Sequence, residues 1–273
     1  MPYTSLIETS TLAQQLDNQD WIVVDCRFDL ADSRAGEKAY LAAHIPGAVY
    51  AHLDDDLSGP GGTDDGRHPL PSPEALRLLF GRLSIDGDKQ VVVYDGHHGA
   101  IGAARLWWML RYMGHEAVAV LDGGWQRWQA EGRLTRSGRE SSRPTSFQGE
   151  PRREWLVVYD DLPAVDLLID ARDAARYRGE VEPIDAYPGH IPGAVHYHFV
   201  RNLQADGRFQ APDKVRRQLQ EAMGDREADT AVYYCGSGVS ACLNLLAHAH
   251  AGLPPGKLYV GSWSEWSRKN PQP

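Results

Sequence analysis

The chain has 273 residues, enough for one large domain or two of ordinary size, and either could bury a full core. Apolar residues make up 42% and charged residues 24%, an ordinary globular balance. The net charge of −9 argues against nucleic acid or an acidic membrane as the main partner, but not against a small anion held in a local cationic pocket.

In chain order, Thr9 to Asp17 reads as a short helix and WIVVD (Trp21 to Asp25) as a strand. A charged stretch leads to AAHIPGAVY (Ala42 to Tyr50). Asp54 to Pro73 is rich in Gly, Pro and Asp and reads as a long loop of the kind that often carries function. Pro73 to Leu83 is helical, with proline in its first turn. QVVVYD (Gln90 to Asp95) is a strand followed by a turn and a helix. AVAVLDGG (Ala117 to Gly124) is another strand, followed by WQRWQAEG. SGRESSRPTSFQGEPRRE (Ser137 to Glu154) is polar, with Gly and Pro, and reads as a linker.

The pattern then repeats. LLIDAR matches IVVDCR, GHIPGAVHY matches AHIPGAVYA, VYYCGSGVSA matches VVYDGHHGAI, and KLYVGSWSEW matches AVLDGGWQRW. The offsets are 145 residues for the Asp pair, 146 for the His pair and 140 for the turn. Matched blocks in one order at a nearly constant offset mark duplicated domains. The expected boundaries are 1–136 for the first domain, 137–153 for the linker and 154–273 for the second. Strands alternate with helices in each half, which predicts two α/β domains, each a parallel sheet covered on both faces.

The most informative turn is CGSGVSA. AVYY (Ala231 to Tyr234) reads as a buried strand and LNLLAHAHA (Leu243 to Ala251) as a helix, so Cys235 opens a turn at the carboxyl end of a strand. Gly236 and Gly238 let the backbone curl, and a curled turn at a helix start aims several N–H groups at one spot. A sulfur there is held as thiolate, which points to a nucleophile. Asp95 occupies the equivalent place in the first half. It cannot do thiolate chemistry, so the first half is expected to be catalytically silent. Cys26 and Cys242 read as core filler or partly exposed thiols. No CxxC exists, and the adjacent His97 and His98 cannot converge on one ion, so no metal is expected. His44 and His190 precede IPGA in both halves, and repetition in an active and a silent domain makes them structural. The tryptophans at 125, 128, 263 and 266 recur at matched places and read as packing residues.

These features resemble the tandem-domain rhodanese family: HIPGA in both halves, LDGGW and GSWSEW near the end of each, and one Cys-led loop in the second half only. The resemblance covers nearly the whole chain. It implies two rhodanese domains, each a five-stranded parallel sheet flanked by helices, and sulfur transfer through a persulfide on Cys235 without a cofactor. The loop resembles CGSGVTA of the family's 3-mercaptopyruvate branch, with Ser240 for Thr. The thiosulfate branch often has a basic residue where this chain has Ser237. The resemblance implies substrate contacts from Arg176 and from the loop residues Gly236, Gly238, Val239 and Ser240. It further implies a hydroxyl–imidazole–carboxylate set of Ser237, His68 in GRHPLP, and Asp54. One departure stands out. The mercaptopyruvate branch usually carries a second arginine nine residues after the first, and here that position is Asp185. Arg178 or another residue would have to substitute.

The expected partners are a small anionic sulfur donor and a thiol or cyanide acceptor. MPYTSLIETS has neither the basic nor the apolar region of a signal peptide, and no apolar run approaches the roughly 20 residues that span a bilayer. With three cysteines, an odd number, this predicts a cytoplasmic location. Two other readings share some features. A C-x5-R phosphatase needs an arginine six residues after Cys235, where this chain has Ala241. A non-catalytic rhodanese-like binding or redox-sensing module fits the first half but not the intact Cys loop of the second.

Overall fold

β-Branched and aromatic runs set the strands. QVVVY is buried along its whole length, as a central strand covered on both faces must be. It pairs in parallel with WIVVD on one side, Val93 opposite Val24, and with Val118–Leu121 on the other, Val91 opposite Val118. A computed structural model describes residues 1–62 and 65–271. Thr63 and Asp64 of the expected loop, and Gln272 and Pro273 at the end of the expected second domain, lie outside the described residues.

The first half contains β1 (Leu6–Ile7), α1 (Thr9–Ala13), β2 (Trp21–Asp25), α2 (Ala35–Ala42), β3 (Val49–Tyr50), α3 (Pro73–Arg82), β4 (Gln90–Tyr94), α4 (Ala103–Tyr112), β5 (Val118–Leu121) and α5 (Gly124–Ala130). The second contains β6 (Leu156–Val157), β7 (Leu167–Asp170), α6 (Ala174–Tyr177), β8 (Val195–His196), α7 (Pro212–Met223), β9 (Ala231–Tyr234), α8 (Ala241–His250), β10 (Lys257–Tyr259) and α9 (Ser262–Lys269). The strand orders are β1-β5-β4-β2-β3 and β6-β10-β9-β7-β8, two five-stranded parallel sheets of the same topology. Helix α1 stops at Ala13, shorter than expected. Helix α7 was not foreseen, although its buried Val215, Leu219 and Met223 recur every four residues.

The repeated motifs have one structural reason in each half. Arg27 forks onto Asp25 (Nη2 to Oδ2 2.6 Å), donates to Ala43 O, and lies 4.3 Å from the Trp125 ring. Arg172 does the same with Asp170 (2.7 Å), Gly189 O and Trp263 (4.9 Å). Each buried pair thus ties the end of a strand to the segment before HIPGA and to a tryptophan of the last helix. Tyr94 and Tyr234 hydroxyls accept from the N–H of Ile45 and Ile191, the residue after each histidine. Trp128 and Trp263 are fully buried, and truncating either to alanine would cost about 3–5 kcal/mol.

The chain folds into two compact units that exchange short segments. The first takes Met1–Ser58, Pro71–Arg152 and Ala205–Phe209. The second takes Gly59–Leu70, Arg153–Gln204 and Gln210–Pro273. Residues 137–152 are therefore packed on the first unit. Phe147 is buried edge-on against Phe80, Thr145 N–H donates to Gly81 O, and Arg152 N–H donates to Tyr112 O. The segment Gly59–Leu70, although it precedes α3 in the chain, packs with the second unit and carries His68 there.

Candidate active site

Strand β9 delivers Cys235 to the sheet end, and α8 begins at Ala241. Between them the backbone turns back on itself. Gly238 has φ +72°, and a Cβ there would lie 2.4 Å from Val260 O, so only glycine fits. The turn is seated on the start of α9: Trp263 N–H donates to Cys235 O (3.0 Å), Ser264 N–H to Gly236 O (2.9 Å), and Cys235 N–H to Ser262 Oγ (3.2 Å). The Cys235 sulfur sits inside the turn, with the residue only 2% exposed. Burial pushes its thiol pKa up. Hydrogen bonds from the Ser240 hydroxyl and from the N–H groups of Ser237, Ala241 and Val239 outweigh that, and the net shift is downward. Donors from Ser237, Val239, Ser240 and Ala241 thus converge on the sulfur and favour its ionised form, while Gly236 and Gly238 belong to the turn that aims them.

Ser237 is buried beside it, with Oγ 2.7 Å from Nδ1 of the equally buried His68, a hydroxyl–imidazole pair that can pass a proton. Arg176 reaches the same turn from α6, with its Nη1 and Nη2 3.5 and 3.4 Å from the point a Gly236 Cβ would occupy. Its Nη2 also donates to Glu182 (2.7 Å) and Asp185 (3.3 Å). The remaining neighbour is Arg67, which the sequence reading missed. Its Nη2 lies 2.9 Å from the same point, and its Nη1 donates to Asp185. Burial pulls its pKa down, against the pull of Asp185 and Cys235. Arg178 does not come to the turn; it lies exposed and paired with Glu180.

The Rhodanese-like domain family matches residues 8–131 and 154–269. The chain belongs to the rhodanese family. It is 45% identical to a Pseudomonas aeruginosa protein named "Probable 3-mercaptopyruvate sulfurtransferase", over 97% of this chain and 96% of that one. It is 32% identical to rat thiosulfate sulfurtransferase, over 98% of this chain and 94% of the relative. The structure of 3-mercaptopyruvate sulfurtransferase from Leishmania major superposes with a TM-score of 0.88 at 32% identity, covering 98% of this chain and 75% of that one.

In the first rhodanese domain the corresponding turn is filled from within. Asp95 is fully buried, and its carboxylate accepts from the N–H groups of His97, Gly99, Ile101, Gly102 and Ala103 at 2.7–3.1 Å. Equivalent turns therefore hold the Asp95 carboxyl group here and the Cys235 sulfur in the second rhodanese domain. Asp54 belongs to the first unit, exposed on the loop after β3, where its N–H donates to His52 Nδ1 and partial burial raises its carboxyl pKa. His44 and His190 make structural contacts: each ring donates from Nδ1 to a helix carbonyl, Tyr40 O and Tyr177 O, and stacks on that same tyrosine. Cys26 and Cys242 are fully buried, and burial drives the Cys26 thiol pKa well up. Among the described residues no group of three or more His, Cys, Asp or Glu could hold a metal ion, and no helix is long and apolar enough to cross a membrane.

Proposed function

We propose that this rhodanese is a sulfurtransferase that takes sulfur from 3-mercaptopyruvate as a Cys235 persulfide and passes it to a thiol or cyanide. The observation that carries this reading is a buried cysteine sulfur, its pKa lowered by converging hydrogen-bond donors, with a neutral loop, a Ser237–His68 pair and guanidinium groups beside it. The Cys235 thiolate attacks the donor sulfur. The carbon–sulfur bond breaks, and its electron pair forms the enolate of pyruvate, which then takes up a proton. Ser237 donates to the carbonyl oxygen as charge develops there, and His68 orients or reprotonates the hydroxyl. An acceptor thiolate or cyanide then attacks the outer sulfur, the S–S bond breaks, and its pair returns to Cys235. The anion hole serves thiolate and persulfide alike, which splits one transfer into two easier ones.

Catalysis in this reading belongs to the second domain, from residue 154, together with His68; the first domain is silent because Asp95 fills its turn. Asp54 is assigned to the set by the family resemblance, and Asp54→Asn is expected to lower kcat. Three free cysteines fit a reducing, cytoplasmic setting. The preference for 3-mercaptopyruvate over thiosulfate rests on charge. Thiosulfate is a compact dianion, and the loop from Gly236 to Ser240 carries no cation. The test is mass spectrometry after donor treatment together with kinetics on both donors. One added sulfur is expected on Cys235 and none on Cys235→Ser, with higher kcat/KM for 3-mercaptopyruvate. Ser237→Lys is expected to lower that activity and raise thiosulfate activity. Sulfur found on Cys26 or Cys242 would overturn the nucleophile, and a wild type that prefers thiosulfate would overturn the donor.

A further inference from the structure

We infer that Arg67 is the second guanidinium of the donor-carboxylate site, and that Asp185, standing where the family usually has arginine, is the residue that positions it. This inference rests on the reading of 3-mercaptopyruvate as donor and names the residue that makes that reading work in this chain. Two arginines from different segments converge on one spot: Arg67 Nη2 and Arg176 Nη2 lie 2.9 and 3.4 Å from where a Gly236 Cβ would stand, next to Cys235. Asp185 bridges them, Oδ1 accepting from Arg67 Nη1 and Oδ2 from Arg176 Nη2. The carboxylate side chains of Asp185 and Glu182 are each only 3% exposed, while the side chains of Arg67 and Arg176 are 22% and 14% exposed. The acids are thus buried behind the arginines, and the guanidinium groups are the solvent-facing part of the cluster.

The segment that carries Arg67 is fixed on the platform that seats the Cys loop. A Cβ at Gly66 would lie 2.6 Å from Gly261 O, so the two backbones touch. Arg67 N–H donates to Ser264 Oγ (3.1 Å), whose own N–H holds Gly236 O, and Arg268 donates to Asp65 O (2.8 Å). The donor geometry and the charge balance together point to the ligand class. Arg172 is taken up by Asp170, which leaves Arg67 and Arg176 facing Glu182 and Asp185, two cations and two anions. A neutral cluster with a forked donor face suits one carboxylate. Being neutral, it draws neither a monoanion nor a dianion by net charge, and what it offers is forked donors matched to the two oxygens of one carboxylate. Had position 185 held arginine, the second cation would have come from that segment. Here the acid draws in an arginine from the GRHPLP loop instead.

The test uses the full-length enzyme and the two donors. Arg67→Ala is expected to raise KM for 3-mercaptopyruvate about 10- to 100-fold, the range of a lost charge-assisted bond, with kcat within about threefold. Arg67→Lys should recover part of that, because it restores charge but not the fork. Asp185→Asn should raise the same KM by about threefold to tenfold, with Tm nearly unchanged. If the wild type forms the Cys235 persulfide from 3-mercaptopyruvate but KM is unmoved in both Arg67 variants, the assignment of Arg67 is overturned while the donor reading stands. A wild type that forms no persulfide from 3-mercaptopyruvate overturns both. A fall in kcat alone, with KM constant, would make Arg67 part of the chemistry and overturn its binding role.

Discussion

Cys235 is held between two opposing influences, and their balance is what makes it reactive. Burial at 2% exposure raises the cost of the thiolate, while four directed hydrogen bonds lower it, the Ser240 hydroxyl being the strongest of them. The result is a pKa below that of an ordinary cysteine thiol. Because only the thiolate alkylates, the rate of Cys235 modification rises with pH and levels off once the thiol is ionised. A lowered pKa moves the midpoint of that curve below that of an ordinary thiol. Ser240→Ala removes the strongest lowering contribution and leaves the burial, so its midpoint should move up. Iodoacetamide labelling of the intact protein across pH, read by mass spectrometry, measures both curves. An unchanged midpoint in Ser240→Ala would show that the backbone N–H groups alone set the ionisation. Cys26 carries the opposite balance, burial with Asp25, Asp95 and Asp56 adding to it, and should stay unlabelled in the folded protein.

At the scale of the element, the turn between β9 and α8 has its shape because Gly238 takes a left-handed conformation against the Val260 carbonyl. Gly238→Ala forces a Cβ into that carbonyl and should cost about 1–3 kcal/mol from the backbone conformation alone, with the clash in addition. The expected outcome is a lower Tm and a Cys235 labelling midpoint shifted upward, because the N–H groups no longer converge. A variant with wild-type Tm and labelling would mean the turn tolerates another path. This turn was legible in the sequence, since glycine spacing after an apolar strand and before an apolar run has few other meanings. The long strands were legible for the same reason, and so was the duplication. The two-residue strands β1, β3, β6 and β8 were not: two residues carry no periodicity, and their pairing is decided by neighbours in the sheet. Arg67 was not legible either. It sits in a Gly- and Asp-rich loop, 118 residues from the acid that holds it, and only the fold brings the pair together. The packing of residues 137–152 on the first unit was hidden by their polar composition, in which Phe147 is the one anchor that shows.

At the scale of the whole molecule, duplication has produced two versions of one anion hole with different demands on it. The second must hold a thiolate, then a persulfide, and then release sulfur, so its occupant is a weak and exchangeable hydrogen-bond acceptor. The first is filled permanently by the Asp95 carboxylate, which satisfies five N–H groups with charge-assisted bonds. The first domain therefore has these N–H groups satisfied from within at the point where β4 turns into α4. Asp95→Asn keeps the shape but removes the charge and turns an NH₂ toward N–H donors. With a buried unsatisfied donor costing about 1–3 kcal/mol, the local loss should be on the order of 3 kcal/mol or more. By 1.4 kcal/mol per decade, that is roughly a hundredfold faster amide exchange for Gly99, Ile101, Gly102 and Ala103. In the second domain, Cys235→Ser exchanges a weak sulfur acceptor for a hydroxyl, and the amides of Ser237, Val239 and Ala241 should change by less than tenfold. Hydrogen exchange on the two variants compares the holes directly. Equal changes in both would mean that the two turns carry the same structural load and that Asp95 was not what stabilised the first copy. A large change confined to the first domain would show the carboxylate acting as a built-in ligand, and the second copy as the one kept free for chemistry.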